Sequence, residues 1–210
     1  MLFHTQLSEA EELSRLLDRL EADPDASDAV TASIHARFGR TVAIMILDMS
    51  GFSSTTRDGG IVTFLRKIHE MQGIVVPIVQ EHAGQLVNTF ADNLTCLFPD
   101  VPSALAVARV AIDKLEGVNR RRIAEEQCYA SFGIGYGSTL VVGSSDIFGN
   151  QVNLAAKLGE DIAESFEVLL TEQAVAQLDE ADHDLEWRAV TISGLDLRFA
   201  EVKRRIVGEA

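Results

Sequence analysis

Six consecutive apolar residues, Val42-Ala43-Ile44-Met45-Ile46-Leu47, stop at Asp48, and Met49-Ser50-Gly51-Phe52-Ser53-Ser54 follows at once. The run predicts a buried strand over about 41–48. It leaves a carboxylate at the strand end, beside a small-residue loop that enters a helix. A second signal lies downstream, where two apolar runs within Leu86–Phe98 are broken by the short polar turn Ala91-Asp92-Asn93. This predicts a hairpin over 85–98 with Asp92 in its turn. Two aspartates thus sit at strand ends, far apart in the chain.

The remaining elements follow from periodicity. Residues 7–22 read as an amphipathic helix with a Ser8/Glu11 capping box, and a second helix is expected over 27–37. These form an appendage, 1–37, ahead of a body over 38–210. In the body, Ile61, Phe64, Leu65, Ile68, Met71 and Ile74 predict a helix over 58–82, broken or kinked at Pro77. Further helices are expected over 101–115 and 150–164, and after Thr171 through Leu178. Strands are expected over 129–136, continuing through 140–143, and over 168–170, 186–192 and 198–203; 144–149 reads as a loop. Helices and strands mix without regular alternation, which predicts an α+β fold with a largely antiparallel sheet flanked by helices.

The 210 residues carry 32 Asp+Glu against 18 Lys+Arg, a net charge of −14, with no compensating basic tract. That balance excludes a general binder of nucleic acid or anionic membrane. The segment MLFHTQLSEAEE is acidic and lacks an apolar core, and no stretch approaches a membrane span. A soluble, cytoplasmic protein is the expectation. Cys96 and Cys128 have no metal-ligand spacing and read as buried thiols.

A strand-end carboxylate beside unpaired backbone N–H groups holds a cation, while the N–H groups and helix dipole hold phosphate oxygens. Gly51 permits close backbone approach, and Phe52 and Ser53 belong to the same phosphate loop. Asp92 can add a second carboxylate, the arrangement needed by two-metal phosphoryl transfer. Taken singly, Asp48 reads equally as a helix N-cap and Asp92 as a turn former. Asn153 and Lys157, at i and i+4, share a helix face suited to a ribose oxygen and a phosphate, or simply to solvent. Gly133-x-Gly135-x-Gly137 lies inside a strand and lacks the context of a dinucleotide fingerprint; it reads as a site of close helix or partner approach.

The segments VAIMILDMSGF, QLVNTFADNLTCLFPD, FGIGYGSTLVVG and DIFGNQVNLAAKL, in this order, resemble the catalytic domain of the class III adenylate and guanylate cyclases. The resemblance spans about Arg40 to Arg205. It implies a ferredoxin-like α+β core, active as a homodimer with sites at the subunit interface. It implies that Asp48, Asp92 and the Met49 carbonyl bind two Mg²⁺ or Mn²⁺ ions. Asn153 then orients the ribose of a nucleoside triphosphate, and Asp146 is one of two base-selecting positions. Two positions depart from the family pattern. Asn88 stands where adenylate cyclases carry Lys, and an amide can donate or accept, so the base stays open between adenine and a pyrimidine. Pyrimidine cyclases of bacterial antiphage signalling are one such option. Lys157 stands where the family has Arg, keeping the charge but losing the bidentate fork. A degenerate cyclase-like dimerisation or sensing domain is the alternative, and a hydrolase or polymerase-like use of the same metal geometry is a third.

Overall fold

The computed structural model describes residues 8–50, 52–192 and 194–204. The chain opens with α1 (Glu9–Ala22), whose first turn carries the expected capping box: Glu11 N–H donates to Ser8 Oγ, and Ser8 N–H donates to the Glu11 carboxylate. Two N–H groups that a helix start leaves unpaired are thereby satisfied. After a short 3₁₀ turn, α2 (Ser27–Phe38) runs directly into β1 (Gly39–Ser50). Leu13, Leu16 and Leu20 of α1 pack with Val30, Ile34 and Phe38 of α2 against Leu140 and Val142. The appendage is therefore docked on the body.

β1, α3 (Phe52–Glu81), β2 (Gln85–Phe90), β3 (Asn93–Phe98), α4 (Val101–Asn119) and β4 (Tyr129–Val142) form a βαββαβ unit. Its strand order, β2-β3-β1-β4, with antiparallel neighbours throughout, is the ferredoxin-like arrangement. The chain continues through β5 (Asp146–Phe148), α5 (Asn150–Ala156), β6 (Val168–Thr171), α6 (Glu172–Val175), β7 (Leu185–Ile192) and β8 (Leu195–Val202). The sheet extends beyond β4 as β6-β8-β7, and β4–β6 is its one parallel pair among the described residues. The expected α+β class and mainly antiparallel sheet are what the structure contains.

Alternation along β1 divides the interior. Ala43, Met45 and Leu47 face α3 and α4, packing with Phe64, Met71, Leu105 and Ile112. Ile44 and Ile46 point to the other side and pack with Val87, Leu97 and Ala155 of α5. Burial on both faces explains the unbroken apolar run. Cys96 and Cys128 are buried free thiols, as expected.

Several boundaries differ from the sequence expectation. The helix predicted from residue 58 begins at Phe52, its backbone leaves helical geometry at Gly60 (φ +74°, ψ 167°), and Pro77 lies inside the helix without breaking it. Only glycine reaches that backbone region cheaply. The carbonyl that Pro77 deprives of a donor belongs to Gly73, an exposed residue, so it is open to solvent. The predicted 144–149 loop contains β5, paired with the end of β4 at Val142↔Asp146 and Leu140↔Phe148. Strand β4 is continuous through Gly137, and the helix after Thr171 is a single turn, capped by Thr171 Oγ1 accepting from Ala174 N–H. The helix predicted over 150–164 is α-helical only to Ala156 and widens to a π-helical turn over Lys157–Ile162. Among the described residues, no helix is long and apolar enough to cross a membrane.

The β2–β3 turn holds Ala91 at φ +52°. A Cβ in this left-handed region costs about 1 kcal/mol or more, partly offset by the unfolded-state entropy of glycine. Ala91→Gly should therefore stabilise the protein by about 0.5 kcal/mol. An unchanged or lower Tm would contradict this account of the turn.

Candidate active site

Asp48 continues the Ile44–Ile46 side of β1, on the face covered by α5, and is half-buried. Its cross-strand partner is Ser131 on β4. On the other side Leu47 pairs with Leu94, so the Ala91-Asp92 turn lies just past the end of that ladder, next to Asp48 and Met49. The hairpin thus delivers Asp92 to the strand end that carries Asp48.

Electrostatics report the convergence. The Asp48 carboxyl is pushed up to about 7, first by burial and then by the charges of Asp92, Glu160 and Asp161; the Met49 N–H, donating to it, offsets part of this. Glu160 is likewise raised by burial, then by Asp161 and Asp92. Sequence reasoning missed Glu160 and Asp161. The available signal was their position three and four residues after Lys157.

Glycine explains how these acids come near β1. A Cβ on Gly133 would lie 2.0 Å from the Ala155 carbonyl oxygen and 2.5 Å from Gly159 N. One on Gly159 would meet Ile46 O at 2.8 Å. Backbone rests on backbone, and Ser131 Oγ donates to Gly159 O at 2.9 Å. The π-helical turn is pinned over the β1–β4 ladder, which confirms the glycine stripe as a point of close helix approach.

The donor set around Asp48 suits a hard cation. Asp48, Asp92 and the Met49 carbonyl all offer oxygen donors. Among the described residues no three His, Cys, Asp or Glu side chains form a complete metal site. A Mg²⁺-type ion does not require one, because one or two carboxylates commonly hold it while substrate phosphates and water fill the remaining positions. Asn93 Oδ1, adjoining Asp92, is buried without a hydrogen-bond donor, an acceptor that a cation or its water can satisfy. The residues present fit the group.

Of the other expected residues, Lys157 borders this cluster through Asp161, while Asn153, Asn88 and Asp146 are exposed. Asn153 is exposed on α5, opposite the buried Gln151 and Ala155. Lys157 Nζ is 3.9 Å from Asp161 Oδ2, an i,i+4 pair. Asn88 is exposed on β2, where the register shifts between Leu86 and Asn88. Asp146 is exposed at the start of β5, with Ser145 Oγ donating to its Oδ2 at 3.3 Å. Strands β2 and β5 contact one another, so the two expected base-selecting residues stand on neighbouring elements. Gly51 lies outside the described residues, as do the side chains of Phe52 and Ser53.

No protein-family model and no curated protein matches the chain. Solved structures do. The adenylate/guanylate cyclase/hydrolase from Silicibacter pomeroyi is 22% identical with a TM-score of 0.67, over 78% of this chain and 96% of that one. The adenylyl cyclase CyaB from P. aeruginosa is 16% identical with a TM-score of 0.67, over 81% and 98%. The guanylate cyclase domain of RhGC from Catenaria anguillulae, solved with GTP, is 13% identical with a TM-score of 0.66, over 79% and 97%. Identities this low speak for architecture, and the match covers most of each molecule. The chain has the fold of the class III adenylate/guanylate cyclase catalytic domain.

Proposed function

We propose that this protein is a nucleotidyl cyclase, converting a nucleoside triphosphate to its 3′,5′-cyclic monophosphate and pyrophosphate at a homodimer interface in the cytoplasm. Residues 38–210 are the catalytic unit and 1–37 the appendage. The observation that carries the reading is the approach of Asp92 to Asp48 at the end of β1. Asp48, Asp92 and the Met49 carbonyl hold two Mg²⁺ or Mn²⁺ ions. When bound, these ions lower the pKa of the 3′-hydroxyl and neutralise the leaving pyrophosphate. Backbone N–H groups of Gly51, Phe52 and Ser53, where the chain enters α3, bind phosphate oxygens. Asn153 hydrogen-bonds the ribose, and Lys157 sets its charge against the α-phosphate in the transition state. Asp146 accepts from an exocyclic amine of adenine or cytosine, with Asn88 donating or accepting at the neighbouring ring position.

Asn153 is exposed on α5, on the side opposite the buried Gln151 and Ala155, which supports sites completed by a second copy. Phe90 (75% exposed) and Phe148 (53% exposed) lie two residues from Asn88 and Asp146 and offer apolar surface for that copy to cover.

Incubating the protein with Mn²⁺ and each of ATP, GTP, CTP and UTP, followed by mass spectrometry, tests the reading. A cyclic mononucleotide with pyrophosphate is expected from at least one. A linear product would shift the assignment to a hydrolase or polymerase-like reaction. The pairing of Lys157 with Asp161 favours one alternative, a catalytically degenerate sensing or dimerisation domain. Absence of metal-dependent pyrophosphate from all four nucleotides would decide for it.

Lys157→Ala separates chemistry from binding. With one transition-state charge removed, turnover should fall about 10²-fold while nucleotide affinity changes less than about threefold. Equal losses in both would refute this role for Lys157.

A further inference from the structure

The β4–β5 turn is tied to the N-terminal appendage by one side chain. Gly143, at φ +63°, begins the turn, and its N–H donates to Glu9 Oε2 at 2.6 Å. Arg37 Nη2 donates to the other oxygen, Glu9 Oε1, at 3.2 Å, and Arg37 Nε donates to Glu12 Oε2 at 3.1 Å. Beneath this bridge, Leu13, Leu16 and Leu20 of α1 and Val30, Ile34 and Phe38 of α2 pack against Val142, the last residue of β4. The appendage therefore grips both the strand end and the turn that follows it.

What hangs from that turn is Asp146, three residues on. Strand β5 is only three residues long and, among the described residues, its ladder is with β4 alone, and Asp146 itself is exposed. So short a ladder is weak support for a side chain that must meet a base at a defined position. A charge-assisted bond to the turn is comparable in strength to the few neutral bonds of the ladder.

We infer that Glu9 is a positioning residue: through Gly143 it sets the orientation of the Asp146 hairpin, and so the affinity for the nucleotide base. The inference deepens the cyclase reading and rests on the role given there to Asp146. It requires no contact between Glu9 and substrate. The Arg37 pair makes the carboxylate part of a fixed bridge between α1 and α2, so movement of these helices is transmitted to the hairpin.

Four full-length proteins test this: the parent, Glu9→Ala, Glu9→Gln and Asp146→Ala, together with the Glu9→Ala/Asp146→Ala double variant. Amide hydrogen exchange over 143–148 should quicken about tenfold in Glu9→Ala, as expected for losing one charge-assisted bond to the turn. Glu9→Gln keeps an acceptor oxygen and should restore most of the protection. In steady-state assays Glu9→Ala should raise KM about fivefold with kcat within about twofold, the pattern of lost binding common to ground and transition states. In the Asp146→Ala background the same substitution should leave KM unchanged, because the group it positions is gone. Unchanged exchange in Glu9→Ala, or a KM effect that survives without Asp146, overturns the inference. If the parent turns over none of the four nucleotides, the cyclase reading falls. The hairpin tether is then decided by exchange alone, standing if Glu9→Ala loosens 143–148 and Glu9→Gln does not, and falling otherwise.

Discussion

Asp48→Asn is expected to lower metal-dependent pyrophosphate release by about 10³-fold or more, because it removes a charged oxygen from the ions that stabilise the reacting groups. The same substitution should make the metal-free protein more stable, not less, at alkaline pH. The reason is the Asp48 carboxyl, raised from 3.8 to about 7 by burial and by Asp92, Glu160 and Asp161. Between those two values the folded chain binds more protons at this position than the unfolded chain. Stability contributed here is full below about pH 4, falls as pH rises toward 7, and levels off above it. Glu160, raised for related reasons, adds to the slope in the same direction. An asparagine carries no such burden. Melting curves in chelator should show Asp48→Asn matching the parent near pH 4 and exceeding it near pH 8. Added Mn²⁺ should raise the Tm of the parent at pH 8, by mass action on the folded state, and leave the variant unmoved. A variant that melts lower than the parent at pH 8 in chelator would show that the carboxylate has another partner and is no waiting ligand.

Gly133→Ala should be among the most damaging single-methyl changes available in this chain. The added carbon would sit 2.0 Å from the Ala155 carbonyl oxygen and 2.5 Å from Gly159 N. Both obstacles are backbone, so no side chain can rotate out of the way. Either α5 and its π-helical turn lift from the sheet, or β4 bends between its partners Ile46 and Leu169. Overpacking of this kind costs about 3 kcal/mol, a fall in Tm of roughly 10 °C for a chain this size. Activity should fall further than stability predicts, because the displaced segment carries Asn153 and Lys157. Gly73→Ala supplies the contrast. Gly73 lies on the exposed side of α3, and a Cβ there meets nothing within 4 Å. That change should stabilise by about 1 kcal/mol, the helix-propensity difference between the two residues. If the two substitutions shift Tm alike, close packing of α5 on β4 is not what Gly133 is for.

Elements with a local cause were readable from the chain. The capping box at Ser8 and Glu11 needs only a helix start, and the 85–98 hairpin needs only two apolar runs and a short polar turn. Strand β1 announced itself because both its faces are buried. No break falls at Pro77, because the carbonyl it deprives of a donor belongs to the exposed Gly73 and is open to solvent, and solvent exposure is a tertiary property. Strand β5 is not legible in the sequence because three residues carry too little pattern to outweigh flanking serine and glycine.

The candidate site divides along the same line. Asp48, Asp92, Asn153 and Lys157 stand out as residue types in their own segments, and Asn88 and Asp146 only through the family resemblance that the segments carry together. Their arrangement is not legible there. That Glu160 and Asp161 raise the Asp48 carboxyl depends on a π-helical turn seated on Gly133, and that Glu9 holds the Asp146 turn depends on a contact across 134 residues of chain. Sequence determined which groups this protein has and the local elements that bear them, because those follow from neighbours a few residues away. Only the tertiary structure decided which carboxylates share one field and which turn is tethered, because electrostatic coupling and close packing fall off over ångströms of space and take no account of distance along the chain.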